Sequence, residues 1–347
     1  MTDMPDLATA SVPPAKAPTA WRGWLGSLAG RRTLLAVLGI AALAVLLAVP
    51  ATASSRYIVY LGTLLALHGV LAVSLNIIMG FAGQFALAHA AFYGLGAYTS
   101  AILIRDFDLS FWASLPPTAA AAALLAAAIG YPSLRFTGGI HFALITFAFG
   151  ELIRLVTANW HDLTGGPQGM QLGFSPEPLL GIDFGSTRGI YALAAGLLVI
   201  SLAIAAAIRF SRFGRSLVAI REDEVLASSL GINVTANKMA AFVITSVLAA
   251  LAGTIYGPFV GFISPEMMSA SDSISVVGML IVGGLGTLAG PIFGTLIFMG
   301  LPELLRVAKL YRLVILGLII IAVVLFAPKG VAGVIDRLIR PKRGGAR

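Results

Sequence analysis

An all-α, polytopic membrane fold is what this sequence predicts, and three observations carry it. Only 11% of the 347 residues are charged and 58% are hydrophobic, whereas a soluble domain is about 25% charged. Mean hydropathy is +0.94. Several nearly uncharged windows reach about 18 residues, enough helix to cross a hydrocarbon core of roughly 30 Å. The period-2 alternation of a membrane β-barrel is absent.

Ten membrane segments are expected: 33–50, 57–79, 85–104, 111–130, 140–158, 190–208, 239–263, 273–286, 288–305 and 311–327. The first follows Arg31 and Arg32 and precedes Ala51-Thr52-Ala53, which imitates a signal peptide. It is long for such a peptide and stands behind a polar leader, so it reads as an uncleaved helix. The chain then divides into a disordered leader 1–32, a membrane domain 33–327 and a basic tail 328–347. An even count places both termini on one side. Basic residues collect in the leader, at Arg209 to Arg221 and at Lys329 to Arg347. The long loop Asn159 to Gly189 carries Asp162, Glu177 and Asp183 against Arg188. The basic side is therefore cytoplasmic and the acidic loop external. Arg306, Lys309 and Arg312 violate that rule. A re-entrant 273–286 would lower the count to nine, with more violations.

Two segments are interrupted by closely spaced glycines at comparable places in the two halves. One runs from Asn76 to Tyr98 and the other from Gly278 to Gly294. Paired broken helices mark a transport pathway, because unwound backbone offers N–H and C=O groups that only protein or water can satisfy. Small-residue helix packing is the competing reading. Asn76, Gly80, Gly83, Gln84, His89, Gly283, Gly284 and Gly286 are the candidate pathway residues. Phe81, Phe85 and Phe92 could bound an apolar lumen or simply pack.

The chain lacks the usual means of powering transport itself. None of its five lysines follows a glycine, so the phosphate-cradling Gly-Lys-Ser/Thr loop is missing. Membrane-embedded acids and histidines, the usual proton relays, reduce to Glu151, His68, His89 and His141. Arg154 stands one turn from Glu151 and suits a structural ion pair. There is no cysteine and no His cluster at metal spacing, so neither a cofactor nor a metal site is expected. Basic residues are not interleaved with aromatics, which argues against nucleic acid.

Energy must then arrive from outside, and segment 209–238 is the natural socket, with eight ionisable side chains between Arg209 and Lys238. Asp223 is a suitable N-cap for a short helix from Glu224 to Leu230, and Gly231 suits its left-handed C-cap. Val225, Leu226 and Leu230 form an apolar edge for a groove, while Arg221, Glu222 and Asp223 can orient a partner by charge.

Five ordered stretches carry a resemblance. Residues 213–233 (FGRSLVAIREDEVLASSLGIN) resemble the coupling loop of permease subunits from branched-chain amino acid ABC importers. Residues 80–98 (GFAGQFALAHAAFYGLGAY) resemble that family's early glycine-rich signature, and 163–169 (LTGGPQG) the start of its external loop. Residues 283–291 (GGLGTLAGP) and 326–330 (FAPKG) are similar to its late and closing motifs. The likeness is greater to the larger, M-type permease. One departure is Ala86, where the family often has serine.

The resemblance implies a non-enzymatic permease in a bacterial inner membrane. Its partners would be a paralogous second permease, two cytoplasmic ATPases that bind the ATP, and an extracytoplasmic solute-binding protein. Aliphatic amino acids would be the cargo. A related permease for urea or short amides, or an ion-coupled secondary transporter, are the alternatives.

Overall fold

The structure is a computed structural model that describes residues 48, 55–136, 139–179, 181, 183–304, 317–318, 321 and 330–333. The expected spans 33–50 and 311–327, and the leader and tail, lie essentially outside the described residues.

Ten α-helices of six residues or more order the described residues: α1 Arg56–Leu75, α2 His89–Phe107, α3 Phe111–Phe136, α4 Ile140–Asn159, α5 Thr187–Phe210, α6 Arg212–Glu222, α7 Glu224–Ser229, α8 Val234–Val260, α9 Ala270–Gly283 and α10 Gly290–Thr295. A π-helical turn, Asn76–Phe81, continues α1, and another, Leu296–Gly300, leads α10 into Leu301–Leu304. Among the described residues, five helical stretches are long and apolar enough to cross a membrane. They are Arg56–Phe81, Phe111–Arg135, Ile140–Asn159, Thr187–Phe210 and Val234–Val260.

Local sequence explains most helix starts. Side chains of Ser186, Ser211, Asp223, Asn233 and Ser269 each accept an N–H from the first turn of α5, α6, α7, α8 and α9. These are the residue types that satisfy orphan amide donors there.

The bundle core is α1, α2 and α8, with α3 and α5 packed outside them. Lipid tails are as apolar as leucine, so close backbone approach rather than hydrophobic exclusion holds such helices together. A Cβ on Gly96 would fall 1.9 Å from the Ala250 carbonyl oxygen, and one on Gly253 would fall 1.8 Å from that of Tyr93. Phe242 packs edge-to-face with Phe92 at 5.7 Å and with Phe142 at 5.4 Å beside this seam. Gly253→Leu should therefore force α2 and α8 apart, an overpacking cost typically of about 1–3 kcal/mol or more. The expected result is a lower melting temperature of the purified protein and poor recovery from the membrane. Unchanged melting would contradict the tight seam.

The two ends of the bundle are distinguishable. The near end carries α6, α7 and the π turn of α1, where Arg221 meets Gly80. At the far end Tyr57, at the start of α1, bonds Glu303. The loop after α4 also lies at the far end. Met170–Gln171 pairs antiparallel with Phe262–Ile263, joining Met170 to Ile263 and Gln171 to Phe262. Arg105 donates to the Leu163 carbonyl (3.1 Å) and Trp112 to that of Glu177 (3.1 Å).

Segments 85–104 and 273–286, expected as glycine-interrupted membrane segments, are helical over only part of their crossings. Residues 83–88 are not helical and α2 starts only at His89. The 14-residue α9 is about 21 Å long at 1.5 Å per residue, too short to cross alone. It packs against α1, and its start lies beside the first turn of α2. Ser273 Oγ there accepts from the amide of Ala90 (3.1 Å). Residues 261–269 bring the chain from the far end to that depth, and α9 completes the crossing. This crossing is thus made half by residues 261–269, with the strand Phe262–Ile263 and the 3-10 turn Pro265–Met268, and half by α9.

Candidate functional site: two helix breaks joined to the docking helix

The first break begins where α1 changes from α to π geometry. In a continuous helix the Gly80 carbonyl would accept from the amide of Gln84. That amide instead bonds the Ile78 carbonyl at 3.1 Å, which orphans the Gly80 oxygen. Arg221 Nη1 donates to it at 2.6 Å. The second break, Gly284–Ala289 between α9 and α10, orphans donors and acceptors of its own. Asn76, 1% exposed, takes one of each: its Oδ1 accepts from Gly286 N (2.9 Å) and its Nδ2 donates to the Thr287 carbonyl (2.8 Å).

Three glycines make this clasp sterically feasible. A Cβ on Gly80 would lie 2.0 Å from Asn76 Oδ1 and 2.7 Å from Gly286 N. Gly286 has φ +75° and its Cβ would meet Arg221 Nη1 at 2.8 Å. Gly83 has φ +71° and its Cβ would meet Arg221 Cγ at 2.8 Å. Asn76, Gly80, Gly83 and Gly286, expected from the two halves, thus meet at one place at the near end.

Other expected pathway residues have different surroundings. Gly283 and Gly284 are buried in helix packing. A Cβ on Gly283 would strike the Gly290 carbonyl at 1.9 Å, and one on Gly330 would lie 2.4 Å from Gly284 Cα. His89 is 3% exposed and its Nε2 lies 2.8 Å from Ser74 Oγ, which donates to the Leu71 carbonyl. All three face the protein interior. Phe81 and Phe92 are core residues, whereas Phe85 is 50% exposed. Ala86 is 2% exposed, so the hydroxyl missing there would have faced the core.

The short helix α7 has the expected caps. Asp223 accepts from Val225 N and Leu226 N, both at 2.9 Å. Gly231 closes the helix at φ +82°, with Ile232 N on the Ala227 carbonyl at 3.1 Å. Val225, Leu226 and Leu230 are 77%, 58% and 72% exposed, an apolar edge facing out from the near end.

Its charges are arranged differently from the outward-facing set anticipated. Arg221 turns in to Gly80, and Asp223 is occupied as a cap. Glu224 Oε1 takes Lys238 Nζ at 2.5 Å and Gln84 Nε2 at 3.2 Å. All three acids stay exposed, but among the described residues Glu222 is the one whose carboxylate makes no hydrogen bond within the chain. Lys238 is 2% exposed, and sequence reasoning passed over it. A buried ammonium needs a paired charge, so a lysine inside the first turns of an apolar span was a usable signal. Helix α7 is consequently joined to the first break through Gln84 and to α8 through Lys238.

Elsewhere, Glu151 and Arg154 form the expected ion pair, Nε to Oε1 at 2.9 Å. Among the described residues there is no group of three or more metal-ligating side chains.

Comparison with known proteins agrees with this architecture. Residues 57–324 match the family model described as "Branched-chain amino acid transport system / permease component". The permease LivM of Escherichia coli (strain K12) is 30% identical over 317 residues, 84% of this chain and 74% of that protein. LivH of Salmonella typhimurium is 28% identical over 292 residues, 78% and 92% of the two chains. A shorter match, 31% over 125 residues, is to the autoinducer 2 import permease LsrC of Klebsiella pneumoniae, covering 34% and 36%. No solved structure matches. Apolar helices, two clasped breaks and a capped docking helix thus coincide with a family match over most of the chain, which belongs to the branched-chain amino acid transport permeases.

Proposed function

We propose that this chain is one membrane-spanning subunit of an ATP-driven importer of aliphatic amino acids in a bacterial inner membrane, with both termini cytoplasmic. A paralogous second permease completes the pathway, and a solute-binding protein delivers cargo at loop 159–189. Two ATPases supply the energy, one of them on the exposed edge of Val225, Leu226 and Leu230, with Glu222 as an orienting charge. The ATP is theirs; this chain contributes no catalysis.

The observation that carries the reading is Glu224, which belongs to the docking helix yet bonds Gln84 of the first break and Lys238 of α8. A displacement of α7 by a moving ATPase reaches Gln84 through one side chain. The same helix end holds Arg221 on Gly80, so moving it also relaxes the clasp between Asn76 and Gly286. The near end would open when ATPase motion pulls α6–α7 and close when the clasp reforms.

The test is co-purification of the tagged chain with the products of its neighbouring genes, followed by uptake in proteoliposomes. The expected result is recovery of an ATPase and a second permease, with leucine accumulation that requires ATP. Recovery of the complex with no leucine uptake would transfer the cargo to urea or short amides. A chain that purifies alone and transports on an ion gradient would overturn the reading.

A further inference from the structure

We infer that Asp272, at the start of α9, receives the ammonium group of the transported amino acid halfway through the membrane domain. This rests on the proposed import of amino acids and names the chemistry of one contact in that pathway.

Depth comes first. Asp272 is within electrostatic range of His68, which is 12 residues from Arg56 and 13 from Phe81 on the continuous helical run Arg56–Phe81. At 1.5 Å per residue that is about 18–20 Å from either end. Asp272 is nevertheless exposed. An acid at that depth faces a water-filled route or another protein chain rather than lipid.

Four elements converge on it. Ser269 Oγ donates to Asp272 Oδ2 at 2.9 Å and lies 2.8 Å from Ser271 Oγ. His68 of α1, Tyr93 of α2 and Tyr256 of α8 all interact electrostatically with the carboxylate, as does Glu266. The rings of Tyr93 and Tyr256 pack at 5.3 Å. His68 Nδ1 is taken by the Leu64 carbonyl at 2.9 Å.

Part of this arrangement is a helix cap. Ser269 is the N-cap of α9, and Asp272, three residues on, suits the positive end of the helix dipole. Capping does not account for the remainder. Of the two carboxylate oxygens of Asp272, only Oδ2 has a hydrogen bond among the described residues. Tyr93, 5% exposed, has a hydroxyl with no partner there. A buried phenol without a partner costs free energy unless something fills the place. A primary ammonium has three donors and no acceptor, and so suits a carboxylate oxygen together with phenol and serine oxygens. Asp272 and Glu266 together set a negative potential on this side of the half-crossing, which favours the cationic end of a zwitterion and disfavours its carboxylate.

The experiment uses the assembled importer in proteoliposomes with its binding protein, with leucine as the probe. Asp272→Asn keeps the cap but removes the charge. It is expected to lower leucine moved per ATP hydrolysed at least tenfold, and Asp272→Glu to restore part of it. Tyr93→Phe keeps the ring packing and is expected to lower the same ratio about threefold or more. Ratios within twofold of the parent for Asp272→Asn and Tyr93→Phe would overturn the ammonium site. If Asp272→Asn fails to assemble, Tyr93→Phe alone decides by the same criterion. A parent importer that ignores leucine overturns the proposed cargo and with it this site.

Discussion

Glu224→Lys is expected to abolish coupled uptake while ATP hydrolysis by the assembled complex persists. The wild-type carboxylate lies between the ammonium of Lys238 and the amide of Gln84. Lysine there sets two ammonium groups together, one of them 3% exposed at its side chain. Leaving a buried charge unpaired costs about 3–5 kcal/mol, toward the lower figure here because the Glu224 side chain is 44% exposed. Lysine at the first position of α7 also opposes the helix dipole. The helix would still be capped by Asp223, so its apolar edge would still dock. What is lost is the connection inward. Uptake and phosphate release measured on one preparation separate these effects. Normal uptake by Glu224→Lys would sink the transmission role, whereas loss of ATPase from the complex would show that the residue acts in docking instead. Glu224→Gln keeps a hydrogen bond to Gln84 without the charge, and intermediate coupling is expected.

Gly80→Ala should have the second largest effect, from a single methyl group. The added Cβ would lie 2.0 Å from Asn76 Oδ1 and 2.7 Å from Gly286 N, distances that backbone and a buried amide cannot absorb. The clasp must open or the π turn must shift. Either outcome leaves Gly286 N, Thr287 O or the Gly80 carbonyl without a partner, at about 1–3 kcal/mol for each buried group. At least a tenfold fall in ATP-dependent uptake is expected, with a lower melting temperature. Gly196→Ala is the control, because nothing lies within 4 Å of its added Cβ and alanine favours a helix interior. Wild-type uptake by Gly80→Ala would show that the two breaks need not be held together.

How much of this was legible in the sequence differs from residue to residue. The docking helix was readable almost atom by atom, because caps are local: Asp223 and Gly231 act on backbone within four residues of themselves. The two helix breaks were readable as breaks, since glycines at close spacing weaken a helix wherever it stands. Their meeting was not. Asn76 and Gly286 are 210 positions apart, and Arg221 and Gly80 are 141 apart, so no window of sequence contains either bond. Charge was the weakest guide. Arg221 and Glu224 look like surface residues in a charge-dense loop, and only the fold reveals that both turn inward. Asp272 escaped notice because it stood one residue outside the expected span 273–286, and the irregular half of that crossing carries no periodicity to mark it.

The pairing of Met170 with Ile263 has a mechanical side. It fastens the long far-end loop to the same piece of chain that descends to α9, and Gly169 is packed so closely that a Cβ there would lie 2.1 Å from the Ile263 oxygen. A load on the loop is therefore not absorbed by slack between helices. It passes along residues 262–269 to the first turn of α9, where Ser269 grips Asp272. Under the proposed function, arrival of a delivery protein on this loop and adjustment of Asp272 would be one movement, made while the clasp at the opposite end is still shut.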